Sequence, residues 1–192
     1  YTSFEIEYMI KDAGVKTILC QDTNFGYVKA VLDKTGLERV IVTNLVDLLP
    51  PWKRYMGVLF DKIPGGKVDR DSRVYSFKSL LRHAPLTTKV DMDPWKDLAY
   101  ILYKGGTTGF PKGVPGNHIG MTSYVNDVTE DIAGEHLKEG EDVYIAVNPL
   151  FHIMALGLFM AIGLNRGNMT LLMPVPQVDA ILETVQRNRC RW

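Results

Sequence analysis

Cysteine is scarce: Cys20 and Cys190 are the only two in 192 residues. That number and spacing exclude a disulfide framework and a cysteine-built metal cluster, and make a reducing, cytoplasmic compartment the default expectation. Net charge is also missing, because 22 Lys and Arg balance 22 Asp and Glu. No overall field draws the chain to nucleic acid or to an anionic membrane. The longest apolar run, Phe151 to Leu164, falls short of the ~20 residues that span a bilayer. It also holds His152 and two glycines, so a buried helix is expected there. Repeats, low-complexity tracts and a signal-peptide pattern are absent, and the first residue is not Met. What remains is an ordinary globular composition, 46% hydrophobic and 23% charged. The length suits one domain with a real core and room for a second small lobe.

Helical and strand patterns alternate from the start. Phe4 to Ala13 spaces its apolar residues as a helix does, with Gly14 placed to end it. Val15 to Cys20 reads as a short buried strand. Asp22, Thr23 and Asn24 offer N-caps for a helix whose apolar face is Phe25, Val28, Val31 and Leu32, ended by Gly36. Val40 to Thr43 is β-branched and strand-like. This β-α-β rhythm argues for an α/β fold with a largely parallel sheet and helices on both faces.

Residues 50 to 75 interrupt the rhythm. Pro50-Pro51, Pro64-Gly65-Gly66 and the charges from Lys67 to Arg73 mark an excursion outside the core. Within residues 52–62, Trp52, Tyr55, Met56 and Phe60 mingle with Lys53, Arg54 and Lys62. Such a mixture can contact a membrane peripherally, though a surface lobe packing its own aromatics is the preferred expectation. Phe77 to Arg82 suggests a short helix. Leu98 to Tyr103 (LAYILY) is continuously apolar and reads as a central buried strand. Further on, Asn117 can cap a long helix with Met121, Val125, Val128 and Ile132 on one face. Val143 to Val147 and Met169 to Met173 read as strands. Val178, Ile181, Leu182 and Val185 stripe a last helix.

The stretch Tyr103 to Gly113, YKGGTTGFPKG, carries the chemistry. Each glycine in a helix or strand interior costs roughly 1 kcal/mol relative to Ala, so a loop is expected. Gly105, Gly106 and Gly109 let backbone N–H groups approach a ligand. Thr107 and Thr108 add hydroxyls, and Lys112 adds a point charge. These features describe a loop for a phosphate chain. The alternative is a glycine-rich hairpin turn with a solvated lysine, but Gly-Gly-Thr-Thr-Gly exceeds what a simple turn needs. Position supports the phosphate loop, since ligands of open α/β sheets bind beyond the carboxyl ends of strands. Neither G-x-x-x-x-G-K-(S/T) nor G-x-G-x-x-G aligns with it.

This stretch resembles the phosphate-binding signature of the adenylate-forming (AMP-binding) enzymes, Y-T-(S/G)-G-T-T-G-x-P-K-G. The family includes acyl-CoA synthetases, aryl-CoA ligases, luciferases and peptide-synthetase adenylation domains. Asn148-Pro149-Leu150-Phe151-His152 is similar to its P-(L/F)-(F/Y)-H element, at the family's spacing from the loop. YTSFEIEYMIKDAGVKTILC resembles its helix-to-strand segment D-(S/A)-G-(A/V)-K. The Gly105-Gly106 pair and the segments after His152 are most like a long-chain fatty acid–CoA ligase. The resemblance implies ATP, Mg²⁺ and coenzyme A as cofactors and a fatty acid as substrate. A carboxylate would attack the α-phosphate of ATP, and the coenzyme A thiol would then displace AMP. Lys104, Gly105, Gly106, Thr107, Thr108, Gly109 and Lys112 would hold the β- and γ-phosphates, with Phe151 and His152 beside the acyl substrate. Taken alone, His152 reads as a satisfied structural histidine. Lys104 departs from the family's usual Thr, and altered metal dependence is expected; the alternative is a side chain turned to solvent. The residues do not reveal which groups would hold the metal.

The family's adenine-binding segment, ribose-binding Asp, hinge and catalytic Lys find no counterpart among residues 114 to 192. The expectation is that residues 1–192 are an internal portion of the large N-terminal domain. Residues 46–90 would be its less regular excursion and 98–192 its core, with the C-terminal domain absent. On its own this portion is expected to be inactive and, through exposed edges, to self-associate. A non-catalytic α/β phosphate-binding or assembly module is the reading from a different class. Among enzymes, an aryl-CoA ligase or amino-acid adenylation domain is the alternative.

Overall fold

Helix α1 (Ser3–Ala13) begins on a capping box. The Thr2 N–H donates to the Glu5 carboxylate at 2.7 Å, and the Glu5 N–H returns to the Thr2 hydroxyl at 3.3 Å. Gly14 ends the helix at φ +62°, where a side chain would be strained. Strand β1 (Thr17–Gln21), helix α2 (Phe25–Leu32) and strand β2 (Arg39–Thr43) follow, and β1 pairs parallel with β2 from Thr17–Arg39 to Gln21–Thr43. Residues Asp22–Asn24, expected as N-caps, instead form a 3₁₀ turn. Asn24 is already helical, so α2 has no side-chain cap. The helix stops at Leu32, leaving Gly36 in the connection.

The foreseen face of α2 is the buried one. Phe25, Val28, Val31 and Leu32 close on Ile10, Leu37, Val40 and Val42. Val40 is fully buried because β2 alternates, sending Val40 and Val42 inward and Arg39 outward. The excursion contains helix α3 (Pro51–Leu59) and then, against expectation, rejoins the sheet. Strand β3 (Val74–Ser76) pairs parallel with β2, giving the order β1-β2-β3, and helix α4 (Phe77–Leu80) follows it. Charge explains the return. Arg73 bonds Asp33 at 2.8 Å and Asp71 at 3.0 Å, Lys29 pairs with Asp69, and the Val40 N–H donates to the Arg73 carbonyl. A charge-rich stretch read as surface is thus tied beside the α2 helix.

Strands β4 (Leu98–Gly106) and β5 (Gly109–Asn117) form a separate two-stranded sheet. Strand ends two residues apart in sequence can pair only as an antiparallel hairpin. Leu98 to Tyr103 is therefore one arm of a hairpin rather than a central buried strand, and Leu98 is exposed. An apolar run marks a central strand only where both faces are covered, and two strands alone do not cover them.

The structure, a computed structural model, describes residues 1–60, 63–106, 109–136, 138–173 and 175–190. It has two units. One comprises Tyr1–Val90 and Tyr103–Gly113, the other Asp91–Leu102 and Val114–Trp192. In the second, Asn117 caps helix α5 (His118–Asp127) by accepting the Gly120 N–H at 2.9 Å, as foreseen. Met121, Val125 and Val128 are buried, and the helix widens into a π-helical stretch at Val128–Ala133. Strand β6 (Val143–Ala146) pairs parallel with β7 (Met169–Leu172). Between them, the helix expected over Phe151–Leu164 begins only at Ile153, as α6 (Ile153–Leu158) and then a π-helical stretch to Asn165. Helix α7 (Val178–Asn188) forms where its stripe predicts, yet Val178 and Leu182 are exposed.

Candidate functional site

The glycine-rich stretch is the tip of the β4–β5 hairpin, not a loop after a strand. Lys104, Gly105 and Gly106 end β4, and Gly109 and Lys112 lie in β5. Thr107 and Thr108 lie outside the described residues. Strand pairing reaches the tip because most of these glycines take ordinary extended backbone. Gly109 is different. Its φ of +142° is a conformation that a side chain disfavours, so glycine is required there. A Cβ on Gly105 would meet open space, so crowding by protein does not account for that glycine.

Two contacts fasten the tip to α1. The Tyr103 hydroxyl donates to the Asp12 carboxylate at 2.6 Å, with the Met9 carbonyl at 3.3 Å. Burial, and then the bond to Asp12, push the Tyr103 phenol up to about 12. Phe110 stacks on Tyr8 with ring centroids 5.0 Å apart and tilts against Phe4 at 5.5 Å. These positioning residues escaped the motif reading, which weighs the glycines and lysines. Their signals were visible nonetheless: Tyr103 and Phe110 are inside the motif, and Asp12 is the acid just before the glycine that ends α1.

The contacts also orient the lysines. Tyr103 and Phe110 both face α1, and side chains alternate along a strand. Lys112, two residues from Phe110, therefore leaves by the α1 side, and Lys104, next to Tyr103, by the other. Both are exposed. The arrangement offers one cation per face beside a glycine-rich tip.

The hairpin contains no carboxylate. Among the described residues no group of three or more His, Cys, Asp or Glu could hold a metal ion. The hairpin thus supplies no protein carboxylate for Mg²⁺. In the second unit, Phe151 and His152 precede α6 as exposed residues. The His152 carbonyl accepts the Leu156 N–H at 3.0 Å, while its imidazole makes no hydrogen bond among the described residues. Solvent exposure removes the reading of a satisfied, packed histidine. A cavity of about 420 Å³ opens at the carboxyl ends of β1 to β3. It holds none of the expected site residues, and its aspartates already have partners: Asp47 accepts from Thr43 and Asn44, Asp22 from Asn44 and Asp71 from Arg73, and Asp69 pairs with Lys29.

The family model of AMP-binding enzymes matches residues 1–192. The chain belongs to that family. The long-chain-fatty-acid–CoA ligase of Bacillus subtilis (strain 168) is 32% identical over 184 residues, covering 91% of this chain and 31% of that protein. The 4-coumarate-CoA ligase 2 of Narcissus pseudonarcissus is 39% identical over 93 residues, 48% of this chain and 16% of that one. The crystal structure of a long-chain-fatty-acid-CoA ligase from Archaeoglobus fulgidus matches at a TM-score of 0.69 and 24% identity, over 99% of this chain and 32% of that one. This likeness shows the fold: an α/β architecture with parallel strands, matching part of an adenylate-forming enzyme. The AMP-binding chain spans about a third of the length of the two ligases that it matches along most of its own length.

Proposed function

We propose that the protein carrying this chain activates a long-chain fatty acid with ATP and passes the acyl group to coenzyme A. A carboxylate oxygen attacks the α-phosphorus, the bond to the β-phosphate breaks, and pyrophosphate departs. The coenzyme A sulfur then attacks the acyl carbonyl, giving up its proton, and AMP leaves. Residues 1–192 would be an internal portion of the large N-terminal domain, and the reaction would run in the cytoplasm. No helix among the described residues is long and apolar enough to cross a membrane.

The observation that carries this reading is the hairpin tip itself, a family-type signature held on α1 by Tyr103 and Phe110. Backbone amides at Gly105, Gly106 and Gly109 would donate to β- and γ-phosphate oxygens, and Thr107 and Thr108 would add hydroxyl donors. Lys112 would add a charge-assisted bond that holds the departing pyrophosphate. A pre-positioned tip lowers the cost of ordering donors at the moment charge shifts. On the acyl side, the exposed Phe151 and His152 would line part of the carboxylate substrate's path. Fatty acid is favoured by the 32% identity to the Bacillus subtilis long-chain ligase along 91% of the chain. An aryl acid is the second reading, favoured by the higher identity to the 4-coumarate ligase over a shorter stretch.

ATP–pyrophosphate exchange by the full-length protein, across fatty, aryl and amino acids, tests both. Exchange supported by long-chain fatty acids is expected. Exchange with 4-coumarate alone would establish the second reading, and no exchange with any acid would end the adenylation account.

A further inference from the structure

Helix α3 is built the wrong way round for a core helix. Trp52, Tyr55, Met56 and Leu59 fall at i, i+3, i+4 and i+7, the spacing of one apolar stripe. In a globular domain that stripe faces inward. Here these residues are 65%, 67%, 42% and 61% exposed. Gly57 is its one described position that is not exposed, and a Cβ there would lie 2.7 Å from Ile63 Cδ1. The glycine leaves room for Ile63, in the connection that follows the helix, while the large side chains of α3 point to solvent.

Charge and side-chain type narrow what covers the stripe. From Leu48 to Phe60 there are two cations, Lys53 and Arg54, and no carboxylate, in a chain that is neutral overall. Both cations are exposed; Lys53 borders the stripe, its ammonium 5.4 Å from the centre of the Trp52 ring, and Arg54 lies toward the opposite side of the helix. Trp and Tyr carry apolar rings with a polar edge, which favours the boundary between lipid headgroups and acyl chains. Exposed apolar residues continue on either side, with Leu48 and Leu49 before the helix and Phe60 after it. Nine residues cannot span a bilayer, but they can lie in its surface with cations against anionic headgroups.

We propose that α3 is a lipid-docking helix, which lays Trp52, Tyr55, Met56 and Leu59 into the surface of a bilayer containing anionic lipid. The inference rests on the geometry and charge of α3 and stands whether or not the proposed reaction does.

Co-sedimentation of the full-length protein with phosphatidylcholine vesicles, with and without phosphatidylglycerol, tests it. The unsubstituted protein is expected to bind, and more strongly when phosphatidylglycerol is present. Y55S/L59S removes two embedded side chains and should weaken partition by at least roughly tenfold. K53Q/R54Q should weaken it by roughly fivefold per charge on the anionic vesicles only. Tyr27→Ser, at an exposed tyrosine of α2, should change nothing. All five positions are at the surface, so the variants should keep the parent's circular dichroism. Failure of the unsubstituted protein to bind overturns the proposal, as does equal binding by Y55S/L59S. A dimer in sedimentation velocity that Y55S/L59S dissolves would assign the stripe to a second copy and overturn it too.

Discussion

Replacing Tyr103 by Phe removes one hydroxyl and separates two claims about the hairpin: that it is fastened, and that the fastening matters to the ligand. The hydroxyl joins residues 91 apart in sequence, donating to Asp12 at 2.6 Å. A hydrogen bond to a charged group contributes about 1.5–3 kcal/mol, and partial solvent exposure brings the expected loss to about 1 kcal/mol. For a domain of this size that lowers the melting temperature by roughly 2–4 °C at pH 8. The pH dependence gives the sharper signature. The folded phenol is raised from 10.0 to about 12, so the neutral form is the one the fold favours. That contribution is full below pH 10 and is lost as the pH rises through about 12. The gap between parent and Tyr103→Phe should therefore be widest near neutral pH and close across that window. Urea unfolding at a series of pH values measures it. An absent gap at pH 8, or one that stays constant to high pH, would refute the clasp. If the clasp positions the tip, ATP affinity should also fall severalfold in the full-length protein.

Three further outcomes are expected. Phe25→Ala empties the centre of the first core, where Phe25 is 2% exposed, and should cost about 3–5 kcal/mol in urea unfolding. Gly109→Ala forces a side chain to φ +142° and should cost about 1–3 kcal/mol, whereas Gly105→Ala, in open space, should be far milder in the same thermal-shift comparison. Lys104→Thr should change ATP affinity by less than about twofold at every Mg²⁺ concentration, since Lys104 leaves the hairpin on the side away from Lys112. A clear shift in its Mg²⁺ titration would restore the altered metal dependence expected from the motif.

The elements most legible in the sequence are those whose signals are local. The α2 face and the Asn117 cap follow from spacing and side-chain chemistry within a few residues, and both are in the structure. What was misread depends on partners far along the chain. LAYILY is apolar enough for a central strand, but no spacing rule tells whether neighbours flank it on both sides. The stretch before β3 looked like surface because its charges are opposed by Lys29 and Asp33, some forty residues earlier. At the candidate site, the glycines and lysines were legible because the motif concentrates them. The clasp was not, because its partners Asp12, Tyr8 and Phe4 belong to a helix read only for its apolar spacing. The opposite exits of Lys104 and Lys112 required the strands to be seen.

The central claim is that the hairpin tip grips a phosphate chain through Lys112. Equilibrium binding of ATP and of adenosine to the full-length protein and its Lys112→Gln variant tests it most directly. Loss of one charge-assisted bond should weaken ATP by roughly tenfold or more and leave adenosine unchanged. Equal ATP affinity in the two proteins, or an equal loss for adenosine, would contradict it.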